Sequence, residues 1–379
     1  MWKGKWKRSL GWLSLPILLL SPSAVAQGSP QGAPAPLEAL QKLAEMSAVP
    51  GYESALAGEI QRRLKALKLD SKTDNLGNVI VTLGSGEPTR VMAAPIDEIG
   101  YVVSGITEDG FLRVQRLPQG QLFAFFDTLL TAQPVSVFTK AGKALSGVVA
   151  ARSVHLMTAR GSNPTPVREL DDIFIDIGAP SEKEARAAGV DLLDPITMEK
   201  HFYKLGGGMV TAPSLGDRFG AVALLEMLGR INIAGGGAKL KGTLVAAFVT
   251  QQWVGGRGLD RLAQEVPAND WIIVGRLQPP RPGEKTAEPS SGVLIAIADP
   301  SKPAPLAGEL SRLAAERNIP ARGEPAAALP RSSYTGGPQF PPRFAHLGIA
   351  VRFPLSPAEM IDIADLDALV RLLAAYAQQ

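Results

Sequence analysis

The sequence predicts an α/β protein that carries a small antiparallel β domain as an insertion. Three observations predict this. Leu56, Ile60, Leu64 and Leu67 fall on one helical face and are followed by two β-rich runs, 79–83 and 91–94. From Tyr101 to Val149 the texture changes to short alternating runs, split by turns such as Glu108-Asp109-Gly110 and Lys140-Ala141-Gly142. Helices and strands then alternate again to the end of the chain, the order expected of strands covered by helices.

Taken in order, residues 1–26 have the three parts of a secretory signal. They are a basic start, an apolar run over 10–20 and the small-residue site Ala24-Val25-Ala26. That run is well short of the roughly 20 residues a membrane-spanning helix needs. The expectation is cleavage before Gln27 and export, to the periplasm or beyond, with no membrane span after cleavage. Residues 27–36 (QGSPQGAPAP) have the uncharged composition of a flexible linker. The α/β domain is assigned to 37–99 and 172–379, and the β insert to 100–171. The turn Asn75 to Asn78 leads into the first strand. Beyond the insert the reading is a strand over 173–177 and a helix opened by Ser181 and Glu184 at capping-box spacing. A helix over 217–231, a strand over 243–249 and a short helix over 257–263 follow. Strands over 271–274 and 293–297 and helices over 306–317 and 363–377 complete the domain. The Pro-rich stretches 276–292 and 320–342 are read as loops.

Composition excludes several function classes. The 379 residues include 39 Lys+Arg, 36 Asp+Glu, three His and no Cys. Lys3, Lys5, Lys7 and Arg8 lie in the first ten residues, and without 1–26 the balance is 35 basic to 36 acidic residues. A nucleic-acid partner held by a clustered basic surface is therefore not expected. Without Cys there is no disulfide, thiolate nucleophile or Cys-ligated zinc. Only His155, His201 and His346 offer imidazole, and no HExxH or Gly-x-Ser-x-Gly motif is present. Asp97-Glu98 lie just beyond a strand, where α/β domains place ligand-binding groups. Asp217-Arg218 open a helix, where an Asp also serves as a cap. The triplets at 206–208 and 235–237 match neither a phosphate loop nor a dinucleotide fingerprint.

Eight ordered segments carry a more specific signal: VPGYE (49–53), DNLGNVIV (74–81), APIDEIGYVV (94–103), GVVAARSVHLM (147–157), FIDIGAPSEKEARAAGV (174–190), SLGDRFGAVALLEML (214–228), FVTQQWVGGRG (248–258) and LSPAEMID (355–362). Over roughly 37–379 the chain resembles the tetrahedral, or glutamyl, aminopeptidases of the forty-second metallopeptidase family, dinuclear zinc peptidases also labelled endoglucanase-like. The resemblance implies a three-layer α/β/α domain interrupted by a small antiparallel β domain, and assembly into homo-oligomers. It also implies two zinc ions held by two His and three carboxylates, with a Glu as general base.

At the matching positions those groups are replaced. Pro95 stands where the resemblance places a His, Gly216 where it places the bridging carboxylate, and Gly275 where it places an Asp. The Glu pair, base then ligand, falls on Gln252 and Trp253, and the last His on Leu355. Gln252 is nearly isosteric with Glu but takes up no proton at neutral pH. Asp97, Asp217, Arg218 and Arg352 are retained motif residues. The expectation is a degenerate site with no metal and no cofactor. Its function would be to bind a peptide or a partner, or to assemble with an active paralogue, in a cleft lined by Gln252, Trp253, Asp97, Asp217 and Arg352. Two alternatives are an active metallo-aminopeptidase with a rearranged site, built on at least three of Asp97, Glu98, Asp217, His346, Glu359 and Asp362, and a cell-envelope scaffold.

Overall fold

The computed structural model describes residues 36–118, 126–151, 170–235, 240–277, 287–297, 304–325 and 343–379. The expected signal and residues 27–35 of the expected linker lie outside them, as does His155; Pro36 already opens the first helix.

The chain begins with α1 (Pro36–Ala44) and α2 (Ser54–Ala66), then β1 (Lys72–Thr73), β2 (Val79–Ser85) and β3 (Thr89–Pro95). It continues through β4 (Gly100–Ile106), β5 (Leu112–Leu117), β6 (Pro134–Phe138), β7 (Ala144–Val149), β8 (Phe174–Asp176), α3 (Glu182–Ala187) and β9 (Pro195–Met198). Next are β10 (Tyr203–Lys204), β11 (Met209–Ala212), α4 (Phe219–Gly235), β12 (Gly242–Val249), α5 (Arg257–Glu265) and β13 (Asp270–Val274). The last elements are β14 (Val293–Ile297), α6 (Pro305–Glu316), β15 (Ala321–Pro325), β16 (Phe344–Gly348), β17 (Glu359–Asp362) and α7 (Ile363–Ala377).

Eight strands form the main sheet in the order β1-β2-β12-β3-β13-β16-β14-β15. Its centre is parallel, from β12 through β3 and β13 to β16. The central strands are apolar on both faces, and their alternation divides the core in two. Met92, Ala94, Leu244, Ala246, Phe248, Ile272 and Val274 pack on the side of α1, α2, α4, α6 and α7. Val91, Ala93, Val245, Ala247, Val249, Trp271 and Ile273 pack with Leu259 and Leu262 of α5. This is the three-layer arrangement that the resemblance implied, with one described helix on the second face.

The insert closes into a six-stranded barrel, β4-β5-β8-β7-β6-β9, so the boundary at 171 is too early. β9 pairs with both β4 and β6 and closes the ring. Ile173, Ile175, Ala185, Val190 and Ile196 bury in the barrel core, not against the main sheet. The insert therefore runs to about Met198. The Ser181 cap is present, with Oγ accepting the Glu184 N–H at 3.3 Å, but its helix belongs to the barrel. Residues 321–325, read as loop, form β15 beside β14. No helix among the described residues is long and apolar enough to cross a membrane.

Candidate functional site

Parallel strands ending side by side put their following residues in one crevice. In register, Val249 ends β12 beside Pro95 of β3, and β13 ends beside β3 on its other edge. Asp97, Gln252, Trp253, Gly275 and Arg276 therefore emerge together. The loop after β12 is held by the motif beginning at Asp74. Asn78 Nδ2 donates to Asp74 and to the Gly258 carbonyl (2.9 Å), while Asn78 Oδ1 accepts the Thr250 N–H (2.9 Å). A β-carbon at Gly258 would overlap the Thr250 carbonyl, so glycine is required for this closure. Gln251 sits at φ 56°, a left-handed conformation uncommon outside glycine, and its N–H donates to Glu53 at 2.9 Å.

Asp97 is fully buried and accepts the N–H groups of Gln252 and Trp253, both at 2.8 Å. Burial pushes its carboxyl up to about 8, outweighing the two N–H donors. Glu98 lies beside it with the opposite outcome. Burial works to raise it, but Lys200 and Arg218 hold it down at about 2. Arg218 is wholly buried, donating to Glu98 (2.8 Å) and to the carbonyls of Leu43 (3.1 Å), Ile96 (2.8 Å) and Met46 (3.2 Å).

Four of the five positions at which the resemblance placed metal ligands, Pro95, Gly216, Gly275 and Leu355, are linked through short contacts. A β-carbon at Gly275 would lie 3.5 Å from Pro95 Cδ. At Gly216 it would overlap the guanidinium of Arg276. Glu359 accepts the N–H groups of Gly216 (2.8 Å) and Leu355. Arg276 bridges Asp217 (3.1 and 3.2 Å) and Glu359 (2.7 and 3.0 Å). Burial works against its charge, but the two carboxylates hold its pKa above the usual value. Trp253 and Leu355 pack against the barrel core, so each supplies an apolar contact at a position where the resemblance placed a metal ligand.

Charge is matched through this region. Lys200 and Arg218 flank Glu98, and Arg276 lies between Asp217 and Glu359, all with side chains at most 10% exposed. Three cations thus meet three carboxylates. Sequence reasoning passed over Arg276 and Lys200. The signal for Arg276 was its place directly after Gly275, where the resemblance placed an Asp ligand.

Two expectations about the cleft are corrected. Arg352 does not join the site: its Nε donates to Glu288 at 2.9 Å on the surface. Asp97 is buried against the backbone of Gln252 and Trp253, and the Asp217 side chain, 8% exposed, is taken up by Arg276. A cleft of about 900 Å³ lies instead between the α1–α2 connection and the barrel, lined by Tyr52, Phe138, Lys140, Leu193 and Lys200 among others. Of the groups proposed for a rearranged metal centre, Asp217 and Glu359 meet at Arg276, but no third joins them as a metal ligand among the described residues. His346 is buried at a backbone hydrogen bond with Gly275, and burial brings its pKa down to about 4. Asp362 caps α7 through the Ala364 N–H at 2.8 Å. Among the described residues no three His, Asp or Glu side chains are grouped as a metal ion requires.

Comparison with known proteins agrees with this architecture. The M42 glutamyl aminopeptidase family model matches residues 77–372. The lysyl aminopeptidase of Pyrococcus furiosus is 28% identical over 351 residues, covering 90% of this chain and 96% of that protein. FrvX of Escherichia coli (strain K12) is 27% identical over 238 residues, 63% of each chain. Among solved structures, the TET1 peptidase of Pyrococcus horikoshii superposes with a TM-score of 0.77 at 30% identity, covering 91% of this chain and 100% of that one. By its fold, its motif order and this match, the chain belongs to the M42 glutamyl aminopeptidase family.

Proposed function

We propose that this chain is an exported, non-hydrolytic member of the family that acts by binding a peptide or protein partner and by self-assembly. The observation that carries the proposal is the pairing of Glu98, Asp217 and Glu359 with the side-chain cations Lys200, Arg218 and Arg276. Two divalent ions need an excess of anionic and imidazole donors. The residues present do not fit them: Pro95, Gly216, Gly275 and Leu355 offer no side-chain ligand atom, Trp253 offers only an indole N–H, and Arg276 brings a further cation. Gln252 retains hydrogen bonding without proton uptake. Its Oε1 is buried and has no hydrogen-bond partner among the described residues.

Self-assembly is supported by the similar Pyrococcus horikoshii TET1 peptidase, which assembles into a tetrahedron or a large octahedral shell. Export is supported by the composition of 1–26. The test is to purify the full chain from its own cell envelope, determine its N-terminus and bound metal, and assay aminoacyl anilides with added zinc, cobalt or manganese. The expected result is an N-terminus at Gln27, substoichiometric metal and no turnover above buffer. Stoichiometric metal with chelator-sensitive hydrolysis would sink the proposal. A monomeric mass by light scattering would remove its assembly component.

A further inference from the structure

The guanidinium of Arg276 and the missing side chain at Gly216 occupy one space. A β-carbon at Gly216 would overlap Cζ and both terminal nitrogens of Arg276, so any side chain there would displace the guanidinium from the position in which it meets Asp217 and Glu359. The carboxylates that receive the guanidinium belong to different segments. Asp217 lies in the turn before α4 and Glu359 opens β17, while Arg276 itself follows β13. Glu359 also holds the backbones of Gly216 and of Leu355, the latter at φ 62°. One buried cation thus joins three segments, and through Glu359 it secures a strained fourth. Metal ligands would have drawn the same positions together.

We propose that Arg276 is a tethered counter-cation that replaces the metal ions of this site: its side chain neutralises Asp217 and Glu359 and cross-links their segments, so that the fold is complete without metal. Gly216 and Arg276 are then a compensated pair, and removing the guanidinium uncovers a receptor for a small planar cation. This role is independent of the function proposed above, since a chain that hydrolysed peptides elsewhere would still need the cation here.

The test compares Arg276→Lys, Arg276→Gln and Arg276→Ala with the unaltered chain by thermal and urea unfolding, with and without millimolar methylguanidinium chloride. Arg276→Lys, which keeps a cation, is expected to be more stable than Arg276→Gln, which keeps hydrogen bonding without charge. Arg276→Ala is expected to melt on the order of 5–10 °C lower, as for removal of one partner of a buried ion pair. Methylguanidinium should raise its melting temperature saturably, while tetramethylammonium should not, and the unaltered chain should respond to neither. A divalent chelator should leave the unaltered chain's melting temperature in place. Gly216→Ala should destabilise the unaltered chain but be nearly neutral beside Arg276→Ala. Arg276→Gln equal to or more stable than Arg276→Lys would overturn the counter-cation role, as would additive behaviour of Gly216→Ala and Arg276→Ala or a fall in stability on chelation. If Arg276→Ala does not fold, the Lys–Gln comparison decides.

Discussion

Replacing Glu98 by Gln leaves the shape of the side chain and removes the one carboxylate between two buried cations. Glu98 is 1% exposed and takes Arg218, Lys200, Ser214 and the Ala48 N–H (2.9 Å). Two magnitudes bear on the cost. Burial raises this carboxyl, but its cations lower it from 4.5 to about 2, and at 1.36 kcal/mol per unit that is about 3 kcal/mol of stability. Removing one partner of a buried ion pair costs about 3–5 kcal/mol by comparison with other proteins. Because the folded pKa is depressed, this stability is fully present above pH 4.5 and is lost as pH falls towards about 2. Glu98→Gln should therefore lower the urea unfolding free energy at pH 7 by about 3–5 kcal/mol. It should also flatten stability against pH between 4.5 and 2. A loss under about 1 kcal/mol, or an unchanged acid slope, would refute the ion-pair reasoning.

Other parts of the site make separate predictions. His346 is buried with its pKa lowered from 6.5 to about 4, so its contribution is complete above pH 6.5 and about 3 kcal/mol is lost as pH falls to 4. Asp97, raised to about 8, acts in the opposite sense over much of that range, so the readout is the difference between the unaltered chain and His346→Gln, whose pH slope should lack the histidine component. Trp253→Ala removes an indole packed on the barrel core and should cost about 2–3 kcal/mol. Hydrogen exchange should then quicken in barrel amides more than in the main sheet, and an unchanged exchange pattern would show that the indole is not part of that core.

How far the sequence could be read depended on the range of the interactions involved. The DNLGN turn and the Ser181 cap depend on neighbours within four residues, and both stand as expected. The helix predicted over 363–377 is α7, Ile363–Ala377, because its apolar spacing and its Asp362 cap are both local. The insert boundary was misplaced because 173–177 looks the same in any β setting, and only pairing with β5 and β7 assigns it to the barrel. β15 was missed because Pro and Gly in its stretch suggested a loop, whereas it pairs in parallel with β14 at the sheet edge.

The candidate site divides in the same way. The sequence alone determined that the chain belongs among these aminopeptidases and that Pro95, Gly216, Gln252, Trp253, Gly275 and Leu355 stand where metal ligands and base were expected, since side-chain identity needs no geometry. It could not show what became of the charge left behind. Asp217 and Arg276 are 59 residues apart and Arg276 and Glu359 are 83 apart, so only the tertiary fold brings that guanidinium to its carboxylates. The same holds for Glu98 and Lys200, 102 residues apart. Spacing along a chain predicts contacts within a turn of helix or across a hairpin. Which distant cation a buried carboxylate meets is decided by the packing that excludes water around both.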